Sequence, residues 1–195
     1  MSVPSTSVAA ILLSGGASSR LGQDKTQLSV DGTTLAVRTA TLLQRVVETA
    51  VEVGPGTSGL PSTLENPPLE GPLAAIVAGV DWLRARGHSG SALVVACDLP
   101  RLTEQLLRFL VEFDSPGSVV PVVSGRPQPL CAKWGSRDLD SASEFLARGV
   151  RSLRHLYDQP DVRLLDESQW KPVAPENVFF DIDTRDDLQA FRIST

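Results

Sequence analysis

The feature that most limits how this chain can fold is a glycine-rich segment, residues 14–25, which follows directly on the apolar run Val8–Leu13. The segment contains the pair Gly15-Gly16 and two cations, Arg20 and Lys25. Adjacent glycines let backbone N–H groups approach a ligand closely, because glycine adopts positive φ without a steric penalty. Amides and cations together supply donors and positive charge to a phosphate chain. The pattern therefore predicts a buried strand that ends in a loop for a nucleoside triphosphate.

Two well-known phosphate-binding loops do not fit this spacing. A P-loop has glycine, lysine and serine or threonine in succession, whereas two residues separate Gly22 from Lys25. The dinucleotide-binding fingerprint has a spacer between its first two glycines, and Gly15-Gly16 has none. The alternatives are a different triphosphate loop, which the two cations favour, and a turn whose glycines serve backbone geometry alone.

Length and charge narrow the class of protein. A chain of 195 residues that is 42% hydrophobic fits one globular domain, which we expect at residues 8–195 after a disordered tail at residues 1–7. The formal net charge of −5 argues against a nucleic-acid-binding surface. An anionic substrate would therefore need local positive charge from its loop and from a metal ion.

Cysteine usage and hydropathy bear on location. The chain has two cysteines, Cys97 and Cys131, and two distant histidines, His88 and His155, too few for a disulfide framework or a zinc site. Its apolar runs reach only about six residues against the ~20 of a membrane helix, and residues 1–7 lack the features of a signal peptide. We expect a cytoplasmic protein that contacts no membrane.

Strand-like and helix-like patterns alternate along the chain, which favours an α/β fold with a mainly parallel sheet. Thr34 is expected to cap the first helix, and Thr184 with Asp187 forms a capping-box pattern before the last one. The long loop Gly54–Pro72 is a candidate functional segment, and Pro121 marks its strand as a weak or edge strand. The predicted strands are Val8–Leu13, Leu28–Val30, Val51–Val53, Leu93–Ala96, Val119–Val123, Leu130–Trp134, Val162–Leu165 and Val178–Phe180, and the predicted helices follow Thr34, span Leu73–Leu83, follow Thr103, run from Leu139 to Gly149 and follow Thr184.

Asp98 is the candidate metal ligand, because it directly follows the buried strand Leu93–Ala96. Ligands of open α/β sheets bind beyond the carboxyl ends of the strands, so Asp98 and the glycine loop can face each other there. A carboxylate repels phosphates unless a cation lies between them, and Mg²⁺ needs few protein ligands. The position predicts that Asp98 binds Mg²⁺; the alternative is a residue that only ends the strand.

Two further groups are candidates for contact with a second substrate. Asp181 and Asp183 would point the same way in an extended segment, as metal ligands or as acceptors for a substrate, although Asp183 or Thr184 could instead cap the last helix. Arg151 follows Gly149 at the start of a short helical pattern, where it could bind an acceptor phosphate. The alternative for Arg151 is a solvated surface patch.

Together these segments resemble the molybdenum cofactor guanylyltransferases, a family within the wider nucleotidyltransferase superfamily. The family pattern is roughly L-x-G-G-x-S-x-R-M-G-x-D-K, which the segment Leu13–Lys25 follows with Leu21 in place of the methionine. The resemblance spans nearly the whole chain and keeps the family order. The later matching segments are Gly71–Ile76, Cys97–Pro100, Gln128–Leu130, and Asp181–Thr184 followed by Asp187 and Leu188.

The resemblance implies a three-layer α/β/α Rossmann-like nucleotidyltransferase fold with a mostly parallel mixed sheet. It implies transfer of GMP from Mg²⁺-bound GTP to the phosphate of molybdopterin, with release of pyrophosphate, and delivery of the product to molybdoenzymes or their chaperones. By position, the catalytic residues are Arg20, Lys25 and Asp98, and Asp98 binds the metal. The implied nucleotide-binding residues are Leu13, Ser14, Gly15, Gly16, Lys25, Asn66, Gly71 and Asp98, and the acceptor-binding residues are Arg151, Asp181 and Asp183.

Outside the glycine-rich segment, the chain departs from the family pattern at three places. Asn66 is the nearest counterpart of a family aspartate that often contacts the nucleoside, and Gly54 stands where an asparagine is frequent. Asp181 and Asp183 replace a common Asn-x-Asn and are closer to cytidylyltransferase relatives, whereas Cys97–Pro100 is typical of the guanylyl branch. The alternatives are a transferase that uses CTP or another phosphorylated acceptor, and a non-catalytic nucleotide-binding protein of the same fold.

Overall fold

The computed structural model describes residues 8–15, 28–30, 32–68, 70–182 and 184–193. The tail predicted at residues 1–7 lies outside them. Strands and helices alternate through the described ranges, as the sequence predicts. The strands are β1 (Ala9–Leu13), β2 (Ser29–Val30), β3 (Thr33–Thr34), β4 (Ala50–Val53), β5 (Ser62–Thr63), β6 (Ala92–Ala96), β7 (Val119–Val123), β8 (Arg126–Pro127), β9 (Cys131–Trp134) and β10 (Arg163–Leu165); the helices are α1 (Leu35–Gln44), α2 (Pro72–Arg84), α3 (Glu104–Glu112), α4 (Ser136–Ala147), α5 (Arg154–Tyr157), α6 (Glu167–Trp170) and α7 (Arg185–Ile193).

One mixed sheet organises the described part of the chain. Its eight strands follow the order β10-β7-β9-β6-β1-β4-β5, with β8 paired to β7. Strands β5, β4, β1 and β6 are mutually parallel, β9 is antiparallel to both β6 and β7, and β10 is parallel to β7. Strands β2 and β3 form a separate antiparallel pair. The mostly parallel mixed sheet confirms the predicted fold class.

Helices cover both faces of the sheet and complete a three-layer architecture. On β1, Ala10 and Leu12 face one apolar cluster, whereas Ile11 and Leu13 face the other. Helices α1 and α3 pack in the first cluster, and α2 and α4 pack in the second. Strands that are buried on both faces have no polar alternation, which explains why β1 and β6 read as continuous apolar runs.

The predicted strand Val178–Phe180 is wrong, because this segment forms a turn. The N–H of Val178 donates to the carbonyl of Pro175 over 3.0 Å, which closes the chain on itself instead of pairing it with a strand. Its apolar residues serve the core: the rings of Phe179 and Trp170 meet edge to face, 5.0 Å apart between centroids. These residues are apolar because the turn is buried in the core, not because they form a strand.

Three other features of the fold differ from the prediction. Strand β7 is not an edge strand, since β9 and β10 flank it; Pro121 is tolerated because it lies at the last registered pair with β10, past the registered pair of Val119 with β9. The loop Gly54–Pro72 contains β5, which extends the sheet beyond β4. Helix α4 begins at Ser136 instead of Leu139.

No helix in the described ranges is long and apolar enough to cross a membrane.

Candidate nucleotide site

The carboxyl ends of the parallel strands meet at one edge of the sheet. There the N–H of Cys97 donates to the carbonyl of Leu13 over 3.0 Å, and the N–H groups of Ser14 and Gly15 both donate to the carbonyl of Val53, over 3.1 and 3.2 Å. The end of β1 therefore lies between the ends of β6 and β4. The chain passes from β1 to β4 on one side and then crosses to β6 on the other, which makes this edge the switch point where α/β sheets bind ligands.

Asp98 lies half-buried at this edge, in the turn that follows β6. Its backbone carbonyl accepts a hydrogen bond from the N–H of Ile182 over 3.0 Å, so the segment that carries the exposed Asp181 reaches the same edge. Residues that are far apart in the sequence are thereby brought together. The predicted site residues at or beside this edge are Leu13, Ser14, Gly15, Asp98 and Asp181.

The donor chemistry of Asp98 fits a magnesium ion. Carboxylate oxygen is a ligand that Mg²⁺ prefers, and protein sites for nucleotide-bound Mg²⁺ often supply only one or two carboxylates. Among the residues that the structure describes, no three or more histidine, cysteine or acidic side chains form a group that could hold a metal by themselves. A metal at Asp98 would therefore take its other ligands from substrate phosphates and water.

Glu52 is a residue of this edge that the sequence analysis missed. It lies on β4, its side chain is completely buried, and its carboxylate accepts the hydroxyl of Ser14 at 2.5 Å. The same carboxylate accepts both the hydroxyl and the N–H of Ser58, over 2.5 and 2.8 Å, and the N–H groups of Gly56 and Thr57, over 3.0 and 3.2 Å. A lone acidic residue in the apolar strand, followed by glycine and serine donors, was the available signal.

Hydrogen bonding decides the charge of Glu52. Burial alone would raise the pKa of its carboxyl group, because it disfavours the ionised form. The hydroxyls of Ser14 and Ser58 and the N–H groups of Ser58 and Thr57 outweigh burial and hold the pKa below its usual value. Glu52 is therefore an ionised carboxylate inside the protein at neutral pH.

Gly54 is explained by its close approach to the start of the glycine loop. A Cβ atom at this position would lie 2.1 Å from the Oγ of Ser14 and 2.8 Å from the nitrogen of Gly15. The asparagine that is frequent in the family could not occupy this backbone without displacing Ser14. Glycine at position 54 therefore leaves the space in which the Ser14 hydroxyl bonds to Glu52.

Asn66 and Gly71 lie in the loop between β5 and α2. Asn66 is exposed. Gly71 precedes α2 with a φ of 94°, and a Cβ atom there would meet nothing within 4 Å, so the backbone conformation and not space favours glycine. Because α2 leads back to the start of β6, its N-terminus lies at the carboxyl edge of the strands.

Arg151 is already engaged in contacts within the protein. Its Nε donates to the carboxylate of Glu70, and its Nη1 donates to the carbonyls of Leu146 and Val150, over 3.2 and 3.3 Å. The helix expected after it, α5, begins only at Arg154 and has four residues. Arg151 is therefore not at a helix N-terminus; instead it links the end of α4 to the loop before Gly71.

Cys131 lies near Asp98 and is chemically inert. Burial raises the pKa of its thiol, and the negative charge of Asp98 raises it further, to about 12. Only the thiolate is a good nucleophile. A protonated thiol at neutral pH cannot form a covalent nucleotide intermediate.

The remaining predicted site residues lie outside the described residues; they are Gly16, Arg20, Lys25 and Asp183.

Comparison with curated proteins identifies the family. Residues 10–164 match the MobA-like NTP transferase domain. A protein named "Probable molybdenum cofactor guanylyltransferase" from Bacillus cereus (strain AH187) is 32% identical over 174 residues, which cover 80% of this chain and 82% of the relative.

Solved structures share the fold. Molybdopterin-guanine dinucleotide biosynthesis protein A from Archaeoglobus fulgidus superposes with a TM-score of 0.74 at 22% identity, over 94% of this chain and 96% of that one. Rv0371c from Mycobacterium tuberculosis, in complex with manganese, superposes with a TM-score of 0.67 at 15% identity, over 97% of this chain and 100% of that one. The family match over residues 10–164 and the 32% identical relative establish that the chain belongs to the MobA-like NTP transferase family and is a nucleotidyltransferase.

Proposed function

We propose that this enzyme transfers GMP from GTP to the phosphate of molybdopterin and releases pyrophosphate. The curated relative named for molybdenum cofactor guanylyltransfer supports this activity. The observation that carries the proposal is the position of Asp98, which follows Cys97, whose N–H is bonded to Leu13 at the end of β1. A carboxylate beside the start of a glycine-rich loop suits a metal-bound triphosphate.

The proposed reaction needs alignment and charge neutralisation more than acid–base chemistry. An oxygen of the acceptor phosphate attacks the α-phosphorus of GTP, and the bond from the α-phosphorus to the oxygen that bridges to the β-phosphate breaks, with its electron pair leaving on pyrophosphate. The attacking oxygen is already anionic, so no enzyme nucleophile is required. Lys25 and Arg20 would bind the phosphates, and Asp98 would hold Mg²⁺, which neutralises charge on the phosphate oxygens.

The nucleoside half would lie towards β4. Because the N–H groups of Ser14 and Gly15 are bonded to Val53, we expect main-chain contacts here to come from carbonyl oxygens. Carbonyl oxygens accept hydrogen bonds, and guanine offers two adjacent N–H donor groups on one edge. Asn66 and Gly71, in the neighbouring loop, would complete this subsite.

The acceptor would approach from the side of the C-terminal segment. Asp181 and Asp183 are the proposed contacts for the pterin or for the metal. Arg151 would bind the acceptor phosphate by exchanging its ion pair with Glu70, whose side chain is 32% exposed. That exchange would also free the loop before Gly71.

Pyrophosphate release tests the proposal. We would measure it with GTP, CTP, ATP and UTP, with and without molybdopterin and Mg²⁺. Asp98→Ala and Lys25→Ala should each lower GTP turnover at least about 100-fold with little loss of stability. The matched control is Asp140→Ala, which removes a carboxylate with 62% exposure on α4 and should leave turnover unchanged.

Each other outcome has a defined meaning. Selectivity for CTP would assign the enzyme to the cytidylyl branch and give Asn66 and Asp181 a role in base choice. Nucleotide binding without pyrophosphate release would favour a non-catalytic protein. Normal turnover in Asp98→Ala would show that the metal assignment is wrong.

A further inference from the structure

We propose that Glu52 is a positioning residue of the nucleotide site, because its buried carboxylate joins Ser14 to the segment Gly56–Ser58 and so preforms the wall that binds the nucleoside. The inference rests on the proposed function, since it takes the edge at Ser14 as the nucleotide site. Glu52 itself, with its side chain completely buried, would not touch the nucleotide.

The carboxylate of Glu52 is saturated by hydrogen bonds from two separate parts of the chain. Ser14, at the end of β1, supplies one hydroxyl, and the loop after β4 supplies a hydroxyl and three consecutive N–H groups. A carboxylate offers about four lone-pair sites, so five donors fill them. Charge-assisted hydrogen bonds are stronger than neutral ones, which makes this a stiff joint between the two segments.

The joint fixes how Ser14 is oriented. Its hydroxyl is held by Glu52 at 2.5 Å and its N–H is held by the carbonyl of Val53 at 3.1 Å. The Ser14 carbonyl belongs to the same peptide unit as the N–H of Gly15, which donates to the carbonyl of Val53 at 3.2 Å, so a rotation that turned this carbonyl would break that bond. A preorganised carbonyl binds a ligand without the entropic cost of ordering it first.

The joint lies on the nucleoside side of the site. Asp98, the proposed metal ligand, follows the carboxyl end of β6. Glu52 lies on β4, which is on the opposite side of β1. An elongated nucleotide with its phosphates at Asp98 would extend its nucleoside across the end of β1 towards β4. Loss of the joint should therefore weaken binding of GTP but leave binding of pyrophosphate unchanged.

The opposite edge of the sheet provides a matched control. There the hydroxyl of Ser118 donates to the carboxylate of Asp138, and both residues are buried, at 0% and 4% exposure. Ser118→Ala and Asp138→Asn remove the same kinds of bond as Ser14→Ala and Glu52→Gln, but far from the site. All four variants should lower the melting temperature.

The experiment is isothermal titration calorimetry of the full chain with GTP and with pyrophosphate, in Mg²⁺, together with steady-state kinetics. Ser14→Ala and Glu52→Gln should raise the Kd and KM for GTP about tenfold, because binding would then carry the entropic cost of ordering the wall. Their kcat at saturating GTP and their Kd for pyrophosphate should stay within about twofold of the unsubstituted protein. Ser118→Ala and Asp138→Asn should leave all of these values unchanged.

The inference and the proposed function fail in distinguishable ways. If the unsubstituted protein binds GTP while Ser14→Ala and Glu52→Gln keep its affinity and lose only stability, Glu52 is merely structural. If Glu52→Gln does not fold, Ser14→Ala decides the question alone. If the unsubstituted protein, titrated with GTP, CTP, ATP and UTP, binds none of them, the proposed function is wrong and this inference falls with it.

Discussion

At the scale of single residues, Glu52 is a buried carboxylate whose ionised form is held by hydroxyl and N–H donors of the described residues. Burial raises its pKa, and hydrogen bonds from hydroxyl and N–H groups more than reverse this effect. The ionised form is therefore stabilised by the native fold relative to the unfolded chain, where the group has its ordinary pKa near 4.5. Such a difference links the free energy of unfolding to pH.

We predict that Glu52 stabilises the fold only above acidic pH. A folded-state pKa below the unfolded one contributes stability that is full above about pH 4.5 and is lost as the pH falls through the lower, folded value. Urea unfolding of the unsubstituted protein and of Glu52→Gln, measured from pH 7 to pH 3, should show a stability difference that shrinks with acidification. A difference that stayed constant over this range would mean that the native Glu52 carboxylate is not preferentially ionised.

Individual site residues differ in how far the sequence reveals them. Asp98 was a candidate from sequence alone, because a carboxylate directly after an apolar strand has a predictable place in an α/β sheet. Glu52 was missed, since its donors come from positions 14 and 56–58, and a sequence does not show which of these meet. Gly54 looked like a departure from the family until its distance to Ser14 gave a reason.

At the scale of elements, α2 packs on β1 at unusually close range because of one glycine. A Cβ atom at Gly79 would lie 2.6 Å from the Cγ2 and 3.0 Å from the Cδ1 of Ile11. Ile11 is completely buried and, being β-branched, has little freedom to move. The helix therefore needs glycine at this position, although glycine is a poor helix former.

We predict that Gly79→Ala destabilises the protein by roughly 1–3 kcal/mol, because overpacking outweighs the gain of about 1 kcal/mol in helix propensity. The free energy of unfolding in urea measures this. Ile11→Ala opens space at the contact, so the double variant should be more stable than the sum of the two single effects predicts. Additive effects, or a stabilised Gly79→Ala, would show that the close approach does not limit packing.

Local chemistry predicted the elements well where a cap or an apolar run marked them. Thr34 and Thr103 cap α1 and α3 by accepting from the N–H groups three residues on, as expected. The strand predicted at Val178–Phe180 failed, because an apolar run satisfies a buried turn as well as a strand. The burial of Lys133 in β9 could not be predicted from the sequence either. It depends on a distant acceptor, the carbonyl of Phe113, which follows the end of α3.

At the scale of the whole molecule, the candidate site joins the two ends of the chain. The amino-terminal strand β1 supplies the start of the glycine loop, and Ile182 near the carboxyl end bonds to Asp98. The side chain of Ile182 is completely buried in a small cluster with Leu28, Leu35 and Phe191. The fold class followed from the alternation of strands and helices, whereas this closure depends on contacts between residues more than 80 positions apart, which no local pattern encodes.

The last prediction concerns this closure. Ile182→Ala should destabilise the protein by roughly 2–5 kcal/mol, as large-to-small core substitutions do, and should also loosen the turn that presents Asp98. Leu110→Ala is the matched control, since Leu110 is equally buried but lies near the C-terminal end of α3, towards the opposite edge of the sheet. At a temperature where both variants are fully folded, only Ile182→Ala should need more Mg²⁺, by about threefold or more, for half-maximal pyrophosphate release. If both variants lose stability and keep the same Mg²⁺ requirement, the C-terminal segment supports the fold without positioning Asp98. A higher requirement in Ile182→Ala alone would mean that the chain closes its own metal site from its carboxyl-terminal end.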